Sequence, residues 1–138
     1  MMPRNLATVF ATMICLMAAV PAIADDGSVI GRWYIALLSA DRAGLSDLLS
    51  DDARIDLTDL GVVQSKQEFL ASMDEWEAAA KGATIRHRIE KSEGGVSTVI
   101  VCYDFPNNDL LMQETFALVG DRIAASSQAT IAENCDSF

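Results

Sequence analysis

The sequence predicts an α+β domain, with helices first and an antiparallel sheet after them. Three observations predict it. Apolar residues between positions 28 and 80 recur at helical spacing around one short hairpin pattern, positions 84–133 switch to an alternation of period two, and tight turn-rich links join those later segments. Helices grouped ahead of consecutive strands argue for α+β over an alternating α/β order.

From Ser28, a candidate N-cap, the residues Ile30, Trp33, Tyr34, Leu37 and Leu38 lay one apolar stripe along a helix. Asp41 caps a second, short helix whose stripe is Leu45, Leu48 and Leu49, and Ser50-Asp51-Asp52 ends it. Neither helix is long enough to stand alone, so both must rest on something. Positions 54–57 and 60–64, split by Thr58-Asp59, read as a short hairpin. Ser65 with Glu68 forms a capping box, which opens a third helix carrying Phe69, Met73, Trp76 and Ala80 and stopping at Lys81-Gly82.

After Gly82 come four strand patterns, at 84–91, 96–105, 110–119 and 122–133. Their links are Glu93-Gly94-Gly95, Pro106-Asn107-Asn108 and Gly120-Asp121, all turn chemistry. Short links between consecutive strands make an antiparallel meander, one face of which the three helices must cover.

The chain starts MMPRN, carries no charge from Leu6 to Ala24, and reaches Ala22-Ile23-Ala24 before Asp25. This is the pattern of an export signal, 1–24, cleaved to leave one domain at 25–138 in the periplasm or outside the cell. The apolar stretch approaches the length of a membrane span, but its small-residue ending favours cleavage over an anchor. Cys15 is lost with it. The whole chain has 20 acidic against 10 basic residues, a net charge of −10, and loss of Arg4 with the leader leaves about −11. Such a charge offers no footprint for nucleic acid or an anionic membrane; it serves solubility first, and it suits a neutral, apolar or cationic partner.

One histidine and scattered acids give no metal-binding constellation, and neither a phosphate-cradling loop nor a nucleophile with a neighbouring base is present. The reading therefore calls for no cofactor and no metal. Asp47, Asp51, Asp52, Asp56 and Asp59 lack the calcium-loop pattern and read as a solvated face.

Four phrases in order resemble the nuclear transport factor 2-like superfamily, in particular its SnoaL-like and ketosteroid isomerase-like members. They are Tyr34 to Asp41 (YIALLSAD), Leu48 to Ala53 (LLSDDA), Gln64 to Leu70 (QSKQEFL), and Glu114 to Leu118 (ETFAL) with Gly120-Asp121-Arg122-Ile123 after it. The resemblance implies a cone, in which a curved antiparallel sheet wraps around the three N-terminal helices and leaves an apolar pocket open at one end. It also implies a homodimer formed through the sheet. The fold hosts isomerases, cyclases, dehydratases and non-catalytic binding domains, so it does not name a reaction.

The resemblance further implies that Tyr34 stands at the tyrosine that donates to a developing oxyanion, and Glu114 at the oxyanion-hole acid. The proton-shuttling carboxylate aligns with Leu57. Asp56 is one residue earlier, and one step along a strand turns a side chain to the opposite face, so it serves only if the register differs.

Each candidate also has a plainer reading. Tyr34 lies in an apolar stripe, as a core tyrosine would. Glu114 shares a strand face with Leu110, Met112, Phe116 and Leu118, where desolvation would raise its pKa; Leu111 and Val119 leave open that this face is the outer one. His87, between Ile85 and Ile89 on its face, is either a hydrogen-bonded core residue or the missing proton shuttle. On the last strand Ser126 and Gln128 share a face that could fix a ligand's polar end, or could lie in solvent.

The mature cysteines, Cys102 and Cys135, are expected to pair in an oxidising compartment. Strands two apart lie about 9.5 Å from each other, beyond the roughly 7 Å that a disulfide spans. The tail after Glu133 must therefore fold back across the sheet; otherwise both are thiols or one links two subunits.

The leading expectation is a binding domain for a small, largely apolar organic molecule, in a pocket bounded by Trp33, Tyr34, His87, Glu114, Phe116 and Gln128. The rival is an isomerase, cyclase or dehydratase in which Tyr34 and Glu114 polarise a carbonyl and His87 or Asp56 moves the proton. A third is a dimerisation module whose pocket its own side chains fill.

Overall fold

The burial of the first helix follows its sequence stripe. The computed structural model describes residues 26–138, so the expected leader, 1–24, lies outside the described residues. Helix α1 (Asp26–Leu38) buries Val29, Ile30, Trp33, Tyr34 and Leu37 on one side. It begins ahead of Ser28, which is an exposed residue of the first turn and no cap. Helix α2 (Arg42–Leu48) does have the expected cap: the Gly44 amide donates to the Asp41 carboxylate at 3.0 Å.

The helix ends before Ser50-Asp51-Asp52, as expected, and these residues are already strand. The chain passes from α2 straight into strand β1 (Leu49–Leu57), where Leu49, Ala53 and Ile55 turn inward while Asp51, Asp52, Arg54 and Asp56 face water. A 3-10 turn (Thr58–Leu60) and Gly61, at φ 63°, lead into strand β2 (Val62–Ser65).

The capping box forms as expected, each of its two hydrogen bonds 3.2 Å long. The third predicted helix is nevertheless two, α3 (Lys66–Ala71) and α4 (Met73–Ala79), so the described residues hold four helices and not three. The break is at Ser72, whose hydroxyl donates to the Phe69 carbonyl at 2.6 Å and competes with the helical ladder.

Strands β3 (Thr84–Glu93), β4 (Val96–Phe105), β5 (Asn108–Val119) and β6 (Arg122–Ala132) form the expected antiparallel meander. The six strands lie in the order β2-β1-β6-β5-β4-β3, a curved sheet that does not close. One pairing departs from the expected pattern, because β1 runs parallel to β6, with Ile55 beside Ser126 and Leu57 beside Gln128. Topology requires this: α3 and α4 carry the chain from β2 across to β3 in the same direction, and three reversals then bring β6 back parallel to β1.

The inner face of the sheet buries Ile55, Val99, Val101, Tyr103, Phe116 and Ile123 against the helices. The outer face has its own small apolar cluster, Ile100, Cys102 and Leu111, covered by Cys135 and Phe138. After β6 the tail folds back past β5, and Cys102 and Cys135 are joined with their Cα atoms 5.8 Å apart. The Arg86 and Arg88 guanidiniums lie 4.8 and 4.9 Å from the centre of the Phe138 ring. Among the described residues no helix is long and apolar enough to cross a membrane.

The disulfide closes a loop with a sequence separation of 33 residues. Chain entropy makes such a crosslink worth about 3–4 kcal/mol. Urea unfolding with and without reductant should show a loss of that order, and coincident midpoints would mean that the crosslink contributes nothing to stability.

Candidate functional site

The side chain that organises the interior is Glu114, at the middle of β5. Strand alternation turns it to the inner face with Met112 and Phe116, and it is 0% exposed, so of its two readings the outward-facing one does not hold. Tyr34, from α1, donates to Oε1 at 2.6 Å. Tyr103, from β4, donates to Oε2 at 2.7 Å. Among the described residues no cation pairs with this carboxylate.

Burial pushes the Glu114 pKa up to about 7, and the two tyrosine hydrogen bonds, which favour the charged form, hold it from rising further. Burial likewise raises the pKa of both hydroxyls, and the neighbouring carboxylate raises them more. The tyrosines therefore stay protonated and Glu114 is the group that titrates near neutrality. When it is ionised, each oxygen takes one hydroxyl. When it is protonated, its own O–H can donate to a tyrosine oxygen and release that tyrosine's hydrogen for another acceptor.

The rest of the expected site is distributed differently. His87 is half-buried and stacks on the Tyr34 ring, 4.7 Å between centroids at 29°, so it touches the network through a ring face and not through the carboxylate. Desolvation lowers its pKa. Asp56 is corrected: it is exposed on the face of β1 away from the helices, while Leu57, one residue on, turns inward, as the period of a strand requires.

Trp33, Tyr34, Phe116 and Ser126 were expected in a pocket wall, but they are solid core, between 0 and 4% exposed. Trp33 stacks on Phe69 at 5.4 Å and meets the edge of Phe116 at 6.0 Å. Trp33 Nε1 and Ser126 Oγ are buried with no hydrogen-bond partner.

The cavity lies nearer the 3-10 turn and α4, with a volume of about 340 Å³. Trp76, Tyr103, Phe105, Leu57, Leu110 and Met112 supply its apolar wall, and Gln64, Ser72, Glu75 and Gln128 its polar groups. Of the expected ligand-binding residues, Gln128 alone lines it. Tyr103 joins the two halves of the site, because its ring faces the cavity wall and its hydroxyl holds Glu114.

Local structure fixes this wall. Trp76 donates its indole N–H to the Leu37 carbonyl at 2.7 Å. Its ring stands edge-on to Tyr103 and Phe105, which stack on each other with 6.1 Å between centroids. At the rim, Asp59 accepts from the Thr130 amide at 2.9 Å and from its hydroxyl at 2.6 Å, which pins the turn bearing Leu60 to β6. A separate groove of about 480 Å³, bordered by Arg32, Asp41, Asp47, Asp121 and Arg122, shares no residue with the Glu114 network.

Tyr103, Phe105 and Trp76 were not assigned to a site from the sequence. The signal was present in Trp76, on the helical stripe with Phe69 and Met73, and in the alternation Val99, Val101, Tyr103, Phe105. Because β4 is buried on both faces from Ser97 to Tyr103, however, its sequence does not distinguish the inner side.

No protein-family model and no curated protein sequence matches the chain. Solved structures do. The chain superposes on IdmH, a candidate polyketide cyclase from Streptomyces antibioticus, with a TM-score of 0.66 at 16% identity, covering 75% of this chain and 90% of that one. An NTF2-like protein of unknown function from Burkholderia xenovorans LB400 gives 0.65 at 14% identity, with 80% and 88% covered. A candidate ketosteroid isomerase from Kribbella flavida DSM 17836 gives 0.62 at 12% identity, with 76% of each chain covered. The chain has the nuclear transport factor 2-like fold.

The Glu114 environment generates a pH dependence. A carboxyl of ordinary pKa near 4.3 in the unfolded chain that titrates at about 7 when folded contributes stability that is complete below about 4.3 and is lost as pH rises to 7. The loss attributable to this group is about 3 kcal/mol. Urea unfolding of wild type and Glu114→Gln at pH 4.5, 5.5, 6.5 and 7.5 should therefore show their difference shifting toward the variant as pH rises. A difference independent of pH would mean that Glu114 is already ionised at pH 4.5.

Proposed function

We propose that this nuclear transport factor 2-like domain is an exported binding protein that holds a small, largely apolar organic molecule in the cavity beside Tyr103. The observation that carries the reading is the composition of the cavity wall: aromatic and aliphatic side chains line a half-open cavity of about 340 Å³, with a few amide and hydroxyl groups to orient a polar end. Leu57 occupies the inward position where a proton-shuttling carboxylate is expected, and neither Asp56 nor His87 lines the cavity. Binding without turnover fits this wall best.

A specific observation favours a second reading, an enzyme of the isomerase, cyclase or dehydratase type acting on a carbonyl compound. Glu114, at about 7, can hold a proton near neutral pH. Protonated, it would donate to Tyr103 and free that hydroxyl to polarise a carbonyl in the cavity. The names of two structural neighbours, a polyketide cyclase and a ketosteroid isomerase, support the same class.

The proposal includes removal of residues 1–24, residence in the periplasm or outside the cell, and pairing of two copies through the sheet. The Cys102–Cys135 disulfide supports an oxidising compartment. Native mass spectrometry of the protein exported by its own host tests these points together. It is expected to show a chain beginning at Asp25, a dimer and a retained organic molecule. Met112→Trp, which fills the cavity, should lower affinity for that molecule at least tenfold with the circular dichroism spectrum unchanged; undiminished affinity would put the ligand elsewhere. Turnover abolished by Tyr103→Phe would favour the enzyme.

A further inference from the structure

We infer that the molecule this cavity accepts is an organic cation, an apolar body carrying an ammonium group that lodges among Trp76, Tyr103 and Phe105 beside Glu75. The inference rests on the binding reading above and names its ligand class.

The charges around the cavity are of one sign. Among the described residues no lysine, arginine or histidine lines it, whereas Glu75 does, and Asp59 borders the smaller hollow that adjoins it at Leu57 and Gln128. Glu114 adds a third carboxyl directly behind Tyr103, 2.7 Å from its hydroxyl. An anionic ligand would meet acids at the rim and the floor with no counter-ion.

The polar atoms of Trp76 and Tyr103 are already engaged, by the Leu37 carbonyl and by Glu114, and Phe105 has none. What remains for a ligand is ring surface, chiefly that of half-buried Trp76 and Phe105, since Tyr103 is only 4% exposed, and Trp76 stands at 76° to Phe105. Ring quadrupoles attract cations and do so more strongly where water is partly excluded.

Burying a bare ammonium is costly, but Glu75 is exposed at the edge of α4, so the charged end can keep partial hydration there while the apolar end reaches Met112 and Leu110. The chain's net charge of −10 draws cations toward the surface before any contact is made.

The test uses a matched pair of probes, benzyltrimethylammonium and its neutral carbon isostere neopentylbenzene, titrated into the oxidised mature protein and followed by tryptophan fluorescence and proton NMR. The cation should bind at least tenfold more tightly than the isostere. That preference should shrink severalfold in Glu75→Gln, an exposed substitution that leaves the core untouched, and should weaken with added salt. Equal or tighter binding of neopentylbenzene would overturn the cationic ligand while leaving a binding cavity intact. Binding of neither probe, with the fold verified by circular dichroism, would overturn both readings.

Discussion

A carboxyl group enclosed by protein must have its oxygens hydrogen-bonded, and in this protein two tyrosine hydroxyls meet that demand with no cation involved. Glu114 thereby connects α1, through Tyr34, to β4, through Tyr103, across the middle of the inner sheet face. An unmet oxygen at full burial would cost on the order of 1–3 kcal/mol, so the depth of α1 over the sheet and the orientation of Tyr103 are specified together. Much else follows from this. With Tyr34 fixed, its ring supports His87 on one side and the edge of Phe116 on another. With Tyr103 fixed, Phe105 and Trp76 have a surface to rest on, and the aromatic wall of the cavity is set.

The remaining structure holds that wall still from outside. The disulfide and the returning tail cover the outer face of β4, so the strand bearing Tyr103 is buried on both sides. Asp59 and Thr130 fasten the turn at the rim. Buried Lys66 donates to the Leu49 carbonyl at 3.1 Å and ties the start of α3 to β1. The interruption at Ser72 lets α4 turn away from α3 while Trp76 still reaches the Leu37 carbonyl. A cavity whose wall is already held in place by such contacts is a suitable host for a small ligand, because less order must be imposed when the ligand arrives.

Much of this was legible in the sequence, to different degrees for physical reasons. Asp41 and the Ser65–Glu68 box mark helix starts by local hydrogen bonding, which needs no tertiary information. The parity of Asp56 and Leu57 was equally readable. The side taken by Glu114 was not, because Leu111 makes the opposite face apolar too; that face is apolar because a tail more than twenty residues away covers it. The parallel pairing of β1 with β6 depends on the crossover between β2 and β3, which no local pattern encodes. Trp33, Phe116 and Ser126 had the residue types of a lined pocket, but Phe69 stacks on Trp33 and fills the space. Which buried aromatics border a void and which border each other is a property of packing, and periodicity alone cannot separate them.

The central claim is that Glu114 is an enclosed, cation-free carboxyl that titrates near neutrality under the cavity wall. Its most direct test is an NMR titration of the Glu114 side-chain carboxyl carbon in protein labelled at glutamate Cδ, with Glu114→Gln used to assign the resonance. The account predicts a midpoint at about 7, far from the other glutamates, and a shift in that midpoint when Tyr103→Phe removes one hydroxyl. A midpoint in the ordinary glutamate range, near 4.3, would contradict it, since burial would then not outweigh the two tyrosine hydrogen bonds that favour the charged form.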